Sequence, residues 1–129
     1  MEPLPEELGP NEVLVHVHAV GLNYRDVAML QEGKYPVPVE QGGIAASDCA
    51  AEVVAVGCKV RSFIVGDHVA PTVDSNNLTG NERNAEVVAL GGNGLGELRE
   101  YAVFKEEVLV KLPSIGSFRS TMHPRLLII

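Results

Sequence analysis

Two polar clusters carry the side chains best suited to chemistry in this chain: Asn23-Tyr24-Arg25-Asp26, and Ser47-Asp48-Cys49. In the first, the Asn23 side-chain oxygen can accept a backbone N–H at a helix start. Asp26 is favoured in a first helical turn by the positive end of the helix dipole, and it can pair with Arg25 or another cation. An exposed Arg25 guanidinium suits a phosphate or a substrate, and equally suits a solvent-facing helix start. In the second cluster, Asp48 reads either as a carboxylate lining a polar cleft or as the cap of a turn.

Other candidates carry less. His16 and His18 stand at i, i+2, which on a strand points both to one face and makes a two-histidine metal site conceivable. No third ligand is legible, and their alternation with Val15 and Val17 marks the wet face of a half-buried strand, so no metal is assigned to them. Cys49 and Cys58 are the only cysteines and are expected as free thiols rather than a disulfide. Gly91-Gly92-Asn93-Gly94-Leu95-Gly96 does not fit Gly-x-Gly-x-x-Gly and reads as a flexible loop, not a phosphate cradle. Asn77-Leu78-Thr79 is a surface-loop marker only.

The elements that must position these residues are short. Glu12 to Val20 is β-branched with partial alternation and predicts a strand. Asn23 then caps a helix over Tyr24 to Glu32, with Gly33 as its stop. Val37 to Gly43 and Thr72 to Ala85 read as loops, while Ala50 to Val56, Asp67 to Pro71, Leu98 to Phe104 and Val108 to Leu112 read as strands. Short strands separated by turn signals favour a small barrel or partly open β structure over a helical bundle.

Gly21-Leu22-Asn23-Tyr24-Arg25-Asp26, the run Gly43 to Gly57 and Val65-Gly66-Asp67-His68-Val69, taken in order and spacing, resemble the GroES-like catalytic domain of the medium-chain dehydrogenase/reductase superfamily. The resemblance covers approximately Gly9 to Pro113 and implies a mainly β fold with short helices, a GroES-like partly open β-barrel. In the zinc-dependent alcohol dehydrogenases of that superfamily the corresponding positions supply a cysteine and a Gly-His-Glu to a catalytic metal. Here they read Asn23, Ser47 and Asp48. An amide and a hydroxyl are poor replacements for a thiolate and an imidazole around tetrahedral zinc. The chain therefore resembles the zinc-independent, quinone-oxidoreductase-like branch. Residues 72–98 contain no cysteine, so the four-cysteine structural zinc lobe is not expected either.

The resemblance further implies that Asn23 faces the nicotinamide and the substrate carbonyl, where its amide could donate to a developing oxyanion. It implies that Tyr24 lies beside the cofactor phosphates, that Arg25 takes the place of a hydroxyl proton relay, and that Asp48 lines the cleft. Catalytic roles thus fall on Asn23, Arg25 and Asp48, and cofactor contacts on Asn23 and Tyr24. Asp26, whose counterpart supports a metal-ligating histidine, is expected to be structural. The cofactor of the complete enzyme is expected to be NADPH, and the substrate a small carbonyl compound or a quinone.

A chain of 129 residues holds one such domain, whereas a nucleotide-binding domain needs about 100 to 150 more. No strand-Gly-x-Gly-x-x-Gly-helix unit follows. The expected organisation is a GroES-like domain over residues 1–113, incomplete at its N-terminus, an atypical tail over 114–129 that is expected to be disordered, and no Rossmann domain. The tail's loss of the family pattern fits a displaced reading frame or a retained intron. The expectation is a catalytic-domain fragment, truncated at both ends and inactive alone, that does not bind NADPH tightly. The alternative is a non-catalytic β-domain that dimerises or docks on a full-length reductase.

Composition is that of an ordinary folded domain, 46% hydrophobic and 21% charged. The formal charge of −7 argues against unaided binding to nucleic acid or an anionic membrane, which need concentrated Lys and Arg. No apolar run approaches the roughly 20 residues of a membrane helix. Met1 to Glu7 lacks a cationic segment followed by an apolar one, so a cytoplasmic protein is expected.

Overall fold

Val13, Val15 and Val17 alternate with Leu14, His16 and His18, and this period of two places the valines on one face of a long strand, β1 (Glu12–Gly21). All three valines are buried and the alternating partners are half-buried. The structure, a computed structural model, describes residues 4–31, 34, 43–74, 76, 78–79, 90–92 and 95–113, with the backbone of 127–128. Of the expected loop over Val37 to Gly43 all but Gly43, and most of that over Thr72 to Ala85, lies outside these residues.

After β1 come a helix, α1 (Tyr24–Met29), and the strands β2 (Asp48–Val56), β3 (His68–Pro71), β4 (Tyr101–Lys105) and β5 (Leu109–Lys111), with β6 (Leu127–Ile128) near the chain end. The strand order is β4-β1-β2-β3-β5, with neighbours antiparallel and β6 lying parallel to Ala19 and Val20 of β1. Register slips between Leu14 and Val15 and between Val17 and Ala19 are bulges, which bend β1 and sharpen its twist. The result is the expected mainly β, partly open barrel, a curled sheet around a core of Val13, Val15, Val53, Val69, Phe63 and Phe104. Each such side chain contributes about 1.5–3 kcal/mol on burial. No described helix is long and apolar enough to cross a membrane. The expectation of a disordered tail falls on residues outside the described set, apart from Leu127 and Ile128 in β6.

Several element boundaries differ from those read in the sequence, each for a local reason. The helix ends at Met29 rather than Glu32, because Leu30 and Gln31 donate to the carbonyls of Val27 and Ala28 at 3.2 and 3.1 Å, an i to i−3 tightening that closes it. Asp67 belongs to the turn before β3, since its carboxylate accepts the Ile64 N–H at 3.0 Å and Lys111 Nζ lies 3.1 Å from its other oxygen. β4 begins at Tyr101 rather than Leu98, because the Arg99 N–H folds back to the Glu97 carbonyl at 2.8 Å. Val108 closes a 3-10 turn, Glu106–Val108, before β5.

Gly57 ends β2 where the chain crosses the segment that enters β1. A Cβ there would sit 2.1 Å from the Gly9 carbonyl oxygen and 2.6 Å from that of Pro10, both backbone atoms that cannot swing away. Gly57→Ala is therefore expected to lower stability by about 3 kcal/mol, the upper range of overpacking costs. A urea denaturation midpoint equal to that of the parent protein would refute this reading of the crossing.

Candidate functional site

The site is assembled where β1 runs into α1 and where β2 begins. Asn23 has the extended backbone of an N-cap, φ −115° and ψ 163°, and with Asp26 it occupies the two ends of a capping box. One Asp26 carboxylate oxygen accepts the Asn23 N–H at 2.8 Å, and the Asp26 N–H donates to the Asn23 carbonyl at 3.0 Å. The other carboxylate oxygen accepts the N–H of Ala46 at 3.2 Å. Ala46 has φ 71°, a left-handed conformation that costs a non-glycine residue energy and persists only when its surroundings enforce it. Asp26 is buried, and the two partners described for its carboxylate are backbone N–H groups: it ties the helix start to the turn before β2.

That tie sets up the contact between the two polar clusters. β1 and β2 pair so that Gly21 lies opposite Asp48. From there Asn23 Nδ2 reaches across and donates to Asp48 Oδ2, both side chains being exposed. The Ser47 hydroxyl, almost fully buried, lies 3.5 Å from the same carboxylate oxygen. Tyr24 stands beside this pair with 81% of its surface exposed. Arg25 Nη1 donates to the Leu90 carbonyl at 2.9 Å. Of the four residues singled out in the sequence, Asn23 and Asp48 meet, Tyr24 is next to Asn23 in the chain and exposed, and Arg25 bonds the Leu90 carbonyl.

Sequence reasoning missed Glu97, which is completely buried. Its Oε2 accepts from the Cys49 thiol at 3.4 Å, and its Oε1 has no hydrogen-bond partner among the described residues. Burial is the main cause that pushes the Glu97 carboxyl up to about 7, and the Asp48 charge adds to it, against the Cys49 hydrogen bond and Arg99. Burial, followed by Glu97, pushes the Cys49 thiol well above its usual range, so it is an inert thiol. The signal available in the sequence was a carboxylate directly after the glycine-rich loop. Nothing in its spacing revealed that β2 would bring Cys49 into contact with it.

His16 and His18 lie on the half-buried face expected of them. His18 Nε2 is 3.1 Å from Glu52 Oε2, and the His16 ring stacks on Tyr101 with centroids 4.7 Å apart. Among the described residues no group of three His, Cys, Asp or Glu side chains is placed to hold a metal ion. Cys49 and Cys58 are free thiols, the first buried and the second exposed.

The family described as the alcohol dehydrogenase GroES-like domain matches residues 9–114. The chain belongs to this family. This GroES-like domain is 38% identical over 116 residues to a zinc-type alcohol dehydrogenase-like protein of Schizosaccharomyces pombe, covering 89% of this chain and 33% of the relative. It is 39% identical over 109 residues to a quinone oxidoreductase of Pseudomonas aeruginosa, covering 84% of this chain and 27% of that protein. Among solved structures, a quinone oxidoreductase of Pseudomonas syringae pv. Tomato superposes with a TM-score of 0.59 at 33% identity, over 92% of this chain and 30% of that one. The chain thus spans about a third of the length of the curated relatives it matches.

Two outcomes follow for this GroES-like domain. Removing the Asp26 carboxylate leaves a helix start uncapped and the Ala46 N–H unpaired, so Asp26→Ala is expected to cost about 2–3 kcal/mol in a denaturation experiment. The Glu97 carboxyl is raised in the folded state, to about 7 from an ordinary 4.5. Its contribution to stability is therefore fully present below about pH 4.5 and is lost as pH rises through about 7, a change of roughly 3 kcal/mol. Glu97→Gln should flatten this slope and leave the protein more stable than the parent at pH 8. Parallel stability curves for the two proteins between pH 5 and 8 would contradict the assignment.

Proposed function

We propose that this chain is the catalytic, GroES-like part of a zinc-independent NAD(P)H-dependent reductase of quinones or activated, enone-like carbonyl compounds. The observation that carries the reading is the Asn23–Asp48 contact, at the positions where the resemblance would put metal ligands. An amide bonded to a carboxylate, next to a buried hydroxyl, is not a donor set for tetrahedral zinc, so no step is routed through a metal. NADPH supplies the hydride when bound, and Asn23 and Tyr24 are the residues that would meet it. The work of the chain itself is positioning. Asp48, by accepting one Asn23 amide hydrogen, fixes the orientation of that amide and leaves its second N–H to donate to a carbonyl oxygen as negative charge develops. Arg25 is anchored on the Leu90 carbonyl.

A reductase of this kind closes its site between two domains, and residues 1–113, as its GroES-like domain, would supply one wall. The 129-residue chain is accordingly expected to show no tight NADPH binding and no turnover with a small quinone, in a cytoplasmic setting without nucleic acid or membrane partners. NADPH oxidation at stoichiometric protein that disappears in Asn23→Ala would overturn the inactivity while keeping the site. Oxidation that survives Asn23→Ala would remove Asn23 from the chemistry.

A second reading, a binding module that dimerises or docks on a full-length reductase, draws on the exposed apolar side chains around α1. Leu22, Tyr24, Val27 and Leu30 all have at least half of their surface open. A concentration-dependent dimer in sedimentation, or co-purification with a full-length reductase, supports this reading; a monomer without a partner counts against it.

A further inference from the structure

We infer that Glu97 is a positioning residue for the Asn23–Asp48 pair, holding the segment Ala45 to Cys49 in place from behind. The inference rests on the reading of that pair as the working surface, and its test reads geometry rather than activity.

The segment is clamped from two sides. From α1, Asp26 bonds the Ala46 N–H at 3.2 Å. From the opposite side, the Glu97 N–H is shared between the carbonyls of Ala45 and Ala46 at 3.0 and 3.1 Å, and the Leu98 N–H donates to Ala45 at 3.1 Å. This approach is so close that a Cβ on Gly96 would lie 2.2 Å from the carbonyl oxygens of both Ile44 and Ala45. The left-handed Ala46 lies between the two clamps, and Ser47 and Asp48 follow it directly. What keeps the Glu97 backbone in this position is its side chain, driven fully inward beneath Cys49.

The anchor has an unusual property, because its Oε1 is buried without a partner among the described residues. A neutral carboxylic acid tolerates such a place far better than a carboxylate does. The groups that act on it are Cys49 and Asp48 of β2 and Arg99 from its own segment. Asp48 opposes its ionisation, so a charged Glu97 would be driven toward water and away from Asp48. That movement would pull residues 96–98 off the Ala45 and Ala46 carbonyls and loosen the turn that presents Asp48 to Asn23.

The test is a pH titration of 15N-labelled protein from pH 5 to 9, following the Asn23 side-chain amide, identified by its loss in Asn23→Ala, and the backbone amides of Ala46 and Leu98. In the parent protein these signals are expected to move together with a midpoint near 7, the range of the Glu97 carboxyl. Glu97→Gln, a neutral isostere, should hold the low-pH positions throughout. Glu97→Ala should show the high-pH positions at every pH. A Glu97→Gln protein that titrates like the parent overturns the inference, as does a Glu97→Ala protein that keeps the low-pH signals. Neither result bears on whether Asn23 takes part in reduction, which the NADPH assay of Asn23→Ala decides separately.

Discussion

The antiparallel ladder between β1 and β2 is the constraint on which the rest of the structure depends. It runs from Val13 opposite Val56 to Gly21 opposite Asp48, and it determines which side chains face the core and which polar groups meet at its end. A shift of one residue would turn every side chain of β1 to the other face, burying His16 and His18 and exposing the valines. The valine face specifies the register, and the register delivers Asp48 to Asn23. The two bulges accommodate the curvature that lets a single sheet wrap its own core.

At the end of this ladder the local backbone is held under constraint. Ala46 adopts a left-handed conformation because Asp26 on one side and Glu97 with Leu98 on the other take up the hydrogen bonds of the turn. Two carboxylates flanking Cys49 thereby live in different surroundings. Asp48 is exposed and bonded to an amide, whereas Glu97 is buried with one oxygen unpartnered. Burial is what raises the Glu97 carboxyl above its ordinary range. In this molecule the buried acid serves the backbone that presents the exposed one.

The surface that results is polar at its centre and apolar around α1. Asn23 and Asp48 lie in the open, and Leu22, Tyr24, Val27 and Leu30, in or next to α1, are exposed. On the proposed reading, a flat apolar ligand or another protein face would lie against this surface, with the polar pair orienting it. The chain belongs to the GroES-like family and spans about a third of the length of the curated relatives it matches.

The sequence by itself determined the strand faces, since an alternation of valines with polar residues has one consistent burial and period-two geometry follows directly from it. It also determined the helix start at Asn23, because capping chemistry is local, and the ordered set of motifs that carries the family. Helix and strand ends were less legible, as with Met29 and Tyr101, because single hydrogen bonds such as Arg99 to Glu97 end an element without a compositional mark. Only the tertiary structure decided that Asn23 bonds Asp48, that His18 pairs with Glu52, and that Glu97 lies buried under Cys49. These contacts join residues far apart in the chain. They depend on strand pairing and on the desolvation of a buried position, quantities that no local pattern of residue types encodes.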